Sequence, residues 1–133
     1  MEPSTRARDA FVRFCDRLSA GDVAAFDDVV ATDAKLVIGT APGEWVEDRD
    51  RMRFGFETEG VRLEPDAPQG YEEGSMAWVV DQPTFGFPDD SSIKVRCTAV
   101  LRREDEQWRI VHAHFSVGVP DDQAVALQAQ CGA

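Results

Sequence analysis

Apolar residues recur at steps of three and four from Ser4 to Ala20, with Ala7, Ala10, Phe11, Phe14, Cys15 and Leu18 on one side and Arg6, Arg13, Asp16 and Arg17 on the other. That period, with charge on the far face, predicts an amphipathic helix. Gly21 supplies a left-handed end for it, and Asp22 is placed to cap a second helix carrying Ala25, Phe26, Val29 and Val30. Lys35 to Ile38 then reads as a short strand that the Gly39-Thr40-Ala41-Pro42-Gly43 loop terminates. Asp48 opens a third helix running to about Glu59, with Met52 and Phe56 one turn apart and Phe54 on a neighbouring face, and Gly60 ends it.

Beyond Gly60 the alternation shortens to the period of a strand. Val61 to Leu63 is predicted to be extended, Pro65 to Gly70 to be a loop, and Tyr71 to resume the sheet. Ser75 to Gln82 is a stronger strand with Met76, Trp78, Val79 and Val80, and Pro83 marks a bulge or edge before Thr84 to Phe87. After a turn at Pro88 to Ser91, the two longest strands run from Ile93 to Arg103 and from Gln107 to Val119, joined by a hairpin turn over Glu104 to Gln107. Pro120-Asp121-Asp122 starts a short final helix to about Gln130. The order predicts one α+β domain over residues 1–133, with helices packed on one side of a curved sheet.

Composition narrows the partners. With 133 residues and 43% hydrophobic content the chain can bury a core without metals or disulfides. Its 25 acidic against 14 basic residues, a formal charge of -11, repel phosphate backbones and anionic headgroups, so neither nucleic acid nor a membrane is expected as a partner. Three cysteines, Cys15, Cys97 and Cys131, form neither a disulfide framework nor a zinc motif. No apolar run approaches the ~18 residues of a membrane span, and the first residues lack a signal-peptide layout. The expectation is a cytoplasmic protein that uses no cofactor.

Candidate chemistry concentrates in Trp108 to Pro120, which holds both histidines. Period two places Trp108, Ile110, His112, His114 and Ser116 on one face and Arg109, Val111, Ala113, Phe115 and Val117 on the other. With Asp105-Glu106 as the turn, Arg103 pairs with Trp108, Ala99 with His112 and Cys97 with His114, and one bulge would exchange the faces beyond it. Both faces are apolar enough to need cover, by helices and a cavity on one side and by a second subunit on the other. His112 and His114 read either as a proton-transfer or hydrogen-bonding pair in a cavity, with Asp81 as orienting group or base, or as structural histidines. A metal held by the two histidines and Cys97 lacks a further ligand, and none is expected. Trp45, on a glycine-rich loop, reads as a lid or rim residue, and Trp78 as pocket wall or core. For Phe54 and Phe56 core packing is the preferred reading. Arg96 would neutralise an anionic ligand or make a surface ion pair.

The final hairpin, from Arg102-Arg103-Glu104-Asp105-Glu106-Gln107-Trp108 through Arg109-Ile110-Val111-His112-Ala113-His114-Phe115-Ser116, resembles the closing strands of SnoaL-like proteins in the nuclear transport factor 2-like, or ketosteroid isomerase-like, superfamily. The likeness extends to Ile38-Gly39-Thr40-Ala41-Pro42-Gly43-Glu44-Trp45 and to Ser116-Val117-Gly118-Val119-Pro120. It implies a cone-shaped curved mixed or antiparallel sheet wrapped around N-terminal helices, a cavity at the open end and a homodimer through the outer sheet face. The superfamily includes isomerases, dehydratases, polyketide cyclases and kinase association domains, and a shared fold does not transfer a mechanism. The paired acid and tyrosine of a ketosteroid isomerase are not found, since the only tyrosine is Tyr71, beside a loop. Ala99 and Phe115 stand where a kinase association domain would carry arginine. What the resemblance supports is a domain that binds a small hydrophobic molecule through Trp45, Trp78, Arg96, His112, His114 and Ser116. As an enzyme it would be a cofactor-independent isomerase, cyclase or dehydratase acting on a hydrophobic carbonyl compound, with His112, His114 or Asp81 as base. The alternative is a non-catalytic dimerisation or ligand-sensing module.

Overall fold

Ser4 ends a short extended arm and begins the first helix, and it does so from a buried position. Its hydroxyl oxygen accepts the Ala7 amide at 3.1 Å, the hydroxyl donates to the Glu72 carboxylate at 2.9 Å, and its own amide donates to the Gly70 carbonyl at 2.8 Å. One residue thus caps a helix and ties it to a strand. The structure, a computed structural model, describes residues 1–38 and 45–131, so the Gly39 to Glu44 loop lies outside the described residues. In chain order the elements are β1 (Glu2–Pro3), α1 (Thr5–Ser19), α2 (Ala25–Val29), β2 (Val30–Ile38), α3 (Arg49–Glu59), β3 (Arg62–Glu64), β4 (Gln69–Glu73) and β5 (Met76–Asp81). They continue with β6 (Thr84–Gly86), β7 (Ser92–Lys94), β8 (Arg96–Glu104), β9 (Gln107–Ser116) and α4 (Asp121–Cys131). No helix among the described residues is long and apolar enough to cross a membrane.

The helix signals act locally as their chemistry dictates. The six apolar residues of the predicted α1 stripe are all buried, Asp48 caps α3 by accepting the Asp50 amide at 2.9 Å, and Gly60 closes it at φ 63°. Asp22 behaves differently from the capping role predicted for it. Its carboxylate takes the Arg17 Nε at 2.8 Å, and α2, uncapped by any side chain, is only five residues long. The chain passes directly from Val29 into β2, a nine-residue strand where four residues were expected. The strand predicted from Ile93 to Arg103 is two strands. Val95 is buried between them, and its amide leaves the ladder to donate to the Pro83 carbonyl at 2.9 Å.

The α+β architecture has helices against a mixed sheet ordered β1-β4-β5-β8-β9-β2, beside a small antiparallel sheet ordered β3-β6-β7. All neighbours in the large sheet are antiparallel except β2 and β9, which run parallel. Cross-strand rows define its two faces. Facing the helices are the rows Glu72, Ala77, Leu101, Ile110, Val30 and Gly70, Val79, Ala99, Ala113, Leu36. Facing away are Tyr71, Trp78, Val100, His112, Lys35 and Gln69, Val80, Thr98, His114, Val37. The register changes between Leu101, which pairs with Ile110, and Val100, which pairs with His112, leaving Val111 as an extra residue. That bulge exchanges the faces of β9 beyond it. Trp108 and Ile110 point to the core before it, and Ala113 and Phe115 do so after it.

Five phenylalanines run through the interior, one ring against the next, from Phe14 on α1 through Phe26, Phe56 and Phe85 to Phe115 on β9. Successive centroids are 5.2, 6.1, 6.2 and 5.4 Å apart. Such tilted and edge contacts add to the apolar burial that holds the helices on the sheet. Arg49 fastens α3 to the α2–β2 junction, donating to the Phe26 carbonyl at 2.6 Å and lying 3.4 Å from both the Val30 carbonyl and Asp27. At Gly70 the backbone of β4 meets α1 so closely that a β-carbon would lie 2.6 Å from the Ser4 carbonyl oxygen and 2.9 Å from the Arg8 nitrogen. Gly70→Ala therefore separates β4 from the start of α1, and denaturant unfolding should register a loss of about 1–3 kcal/mol. Unchanged stability would mean that the two backbones are not in this contact.

Candidate functional site

An apolar cleft of about 240 Å³ opens between α3, the end of β2 and the small sheet. Met52 and Phe56 supply the helical wall, Ile38 and Val46 one side, and Val61, Phe85, Phe87 and Ile93 the other. Its inner end stops at the phenylalanine chain, where Phe56 faces Phe85. The volume falls just below the ~300–1,000 Å³ usual for drug-sized ligands, which suits a small one.

Three further residues of α3 line the cleft, Arg51, Gly55 and Glu59. At four-residue spacing they form one stripe along the helix. Gly55 sits in the helix interior, where glycine costs about 0.5–1 kcal/mol relative to alanine. No packing requires it, because a β-carbon there would have nothing within 4 Å. The space it leaves open belongs to the cleft. Arg51 sits with its guanidinium carbon 6.0 Å from the Phe54 ring centroid and has no hydrogen bond or ion pair among the described residues. Its neighbours on α3 are engaged, since Arg49 and Arg53 both reach Asp27, at 3.4 and 3.1 Å. Sequence reasoning missed this stripe, although a mid-helix glycine flanked one turn either way by opposite charges was a legible sign of it.

The residues singled out from sequence lie elsewhere. Because Val111 is extra, His112 pairs with Val100 and His114 with Thr98, in place of Ala99 and Cys97, and both histidines are on the sheet face turned away from the helices. His112 Nδ1 donates to the Lys35 carbonyl at 2.6 Å, which orients the ring along the β2–β9 pair. Cys97 instead pairs with Phe115 on the core side, so it and the two histidines are separated by the sheet. Burial pushes the thiols of Cys15 and Cys97 far above their usual range, with Asp81 adding to both shifts and Cys97 to that of Cys15. Ser116 pairs with Arg96, whose guanidinium lies against Gly118, so closely that a β-carbon there would be 2.5 Å from its central carbon. Trp78 stacks on Tyr71 at 6.0 Å on the outer face. Trp45 is 67% exposed and donates from Nε1 to Glu47 at 2.7 Å, and Phe54, expected in the core, is 51% exposed. None of these side chains lines the cleft.

Asp81 has a structural occupation. Its carboxylate accepts the backbone amides of Asp66, Ala67 and Gln82 at 3.1, 3.2 and 2.8 Å, holding the Pro65 to Pro68 loop against the end of β5. Asp81 does not line the cleft. A second hollow, of about 550 Å³, lies between α1 and the β8–β9 turn, but its charges are largely matched: Arg17 pairs with Asp28 at 2.8 Å, and Arg6 and Arg109 bond backbone carbonyls. Of the two hollows, the cleft under α3 is the more apolar.

The SnoaL-like domain model matches residues 7–120. This chain belongs to the SnoaL-like family. Among curated proteins no sequence match is found. Solved structures share the fold of this SnoaL-like domain at low identity. The CaMKII hub from S. rosetta is 17% identical over 89% of this chain and 98% of its own, with a TM-score of 0.72. The association domain of C. elegans CaMKII is 20% identical over 83% and 95%, at 0.64. An NTF2-like protein of unknown function from Pseudomonas putida KT2440 is 18% identical over 87% of each chain, at 0.68.

Replacing Asp81 separates its structural role from a catalytic one. Asp81→Ala leaves two loop amides and that of Gln82 without their acceptor and should lower stability by about 1–3 kcal/mol, measured by denaturant titration. Full stability in that variant would return Asp81 to the list of groups free for chemistry.

Proposed function

We propose that this SnoaL-like domain is a binding module for a small apolar molecule, taken up in the cleft under α3, and that it pairs with a second copy through the outer sheet face. The observation that carries the first part is Gly55, a helix-interior glycine that no neighbour requires and that lines the cleft beside open space. Binding is favoured over the isomerase, cyclase or dehydratase reading because the cleft brings together no acid and base. Its titratable lining residues are Arg51 and Glu59, at opposite ends of the stripe.

The pairing rests on the outer face. Tyr71, Trp78, Val80 and Val100 form an apolar patch across three adjacent strands, with Val80 left 37% exposed. A two-fold axis lets such a patch cover itself. Among the structures of the same fold, two are named as a hub and an association domain, which agrees with assembly as a use of this architecture. The two described cysteines are free, in keeping with a reducing cytoplasm.

Titrating labelled protein with phenylacetamide, a small neutral aromatic, should shift the amide resonances of residues 51–61 and 85–93, and Val61→Trp, which fills the cleft, should remove those shifts. Shifts that survive in Val61→Trp would refute the site. For the assembly, the wild-type chain should elute as a dimer at micromolar concentration and Val80→Glu as a folded monomer. A monomeric wild type would end the pairing proposal.

A further inference from the structure

We infer that the cleft is selective for apolar carboxylates, with Arg51 taking the acid group and Gly55 admitting the apolar body beside it. The inference rests on the ligand-binding reading above and adds to it the charge of the ligand. Arg51, Gly55 and Glu59 follow one another along a single stripe of α3, so a molecule lying over Gly55 has a guanidinium one turn towards the helix start and a carboxylate one turn towards its end. Both charges run against the helix dipole, which favours acids at the start and bases at the end. Local stability of α3 therefore does not account for the arrangement.

Arg51 is the group available to a ligand. Arg49 and Arg53 are held by Asp27, while Arg51 faces only the Phe54 ring among the described residues, an arrangement that orients the guanidinium without neutralising it. A guanidinium offers a carboxylate two parallel hydrogen bonds, a geometry that a neutral amide reproduces only in part. Glu59 at the other end disfavours a second negative charge, so the fitting ligand is a monoacid whose far end is apolar. Arg51 is exposed, so the preference is modest and falls as salt rises.

A matched trio reads this out: phenylacetate, phenylacetamide and phenethylamine, which share one aromatic body and differ in the charge at its end. In low salt, phenylacetate should bind about fivefold more tightly than phenylacetamide, and phenethylamine more weakly than either. Arg51→Gln should cost the acid more affinity than the amide and so close the gap between them, and added salt should narrow the same gap in the wild type. Gly55→Ala should weaken all three while raising the melting temperature, because alanine is the better helix former. If acid and amide bind the cleft equally, or the amine binds best, the carboxylate preference is overturned and the apolar site stands. If none of the three moves the cleft resonances, the site and its selectivity fall together.

Discussion

A β-strand turns successive side chains to opposite faces, so one extra residue changes the side on which everything after it emerges. In β9 that residue is Val111. Before it, Trp108 and Ile110 point to the helices; after it, Ala113 and Phe115 do. The phenylalanine chain depends on this exchange, since only the shifted register brings Phe115 to Phe85. The small side chains of Ala99 and Ala113, paired across β8 and β9, leave room for the helices above them. The histidines are displaced by the same step, because whatever brings Phe115 inward sends His114 outward.

This division leaves the molecule with two surfaces of different character. The inner side of the sheet is spent on aromatic and aliphatic packing, and five phenyl rings occupy the interior. What remains of a cavity lies at the margin, where α3 leans towards the small sheet. The outer side carries the aromatic pair Tyr71 and Trp78, a run of valines and both histidines. Polar chemistry and cleft are thus on opposite sides of a six-stranded wall, which weakens any mechanism that would join them.

Much of the architecture was legible because its signals are local. The apolar stripe of α1, the Asp48 cap, the left-handed Gly60 and the turn between β8 and β9 depend on neighbours in sequence, and each appears where its residues indicate. The family likeness in the final hairpin and around Trp45 supplied the topology that local rules could not. The site was harder to read. A bulge has no strong residue signature, and without it period two sends His112 and His114 to the wrong face. Asp81 looked available because the amides it accepts lie 14 and 15 residues earlier, in a loop whose path sequence does not give. Gly55 has charges one turn away on either side as a sign in the sequence, but only the structure shows the empty space beside it.

The three tryptophans occupy three separate environments. Trp45 stands largely in solvent, Trp78 lies on the outer face, and Trp108 is buried near the β8–β9 turn with Arg103 over its ring, 5.8 Å from the centroid. No indole lines the cleft. Intrinsic fluorescence of this protein would consequently report on its surfaces and hairpin while remaining largely blind to occupancy of the cleft. A silent emission spectrum during a ligand screen would be the natural behaviour of this arrangement of chromophores, and an emission change would point first to the outer sheet.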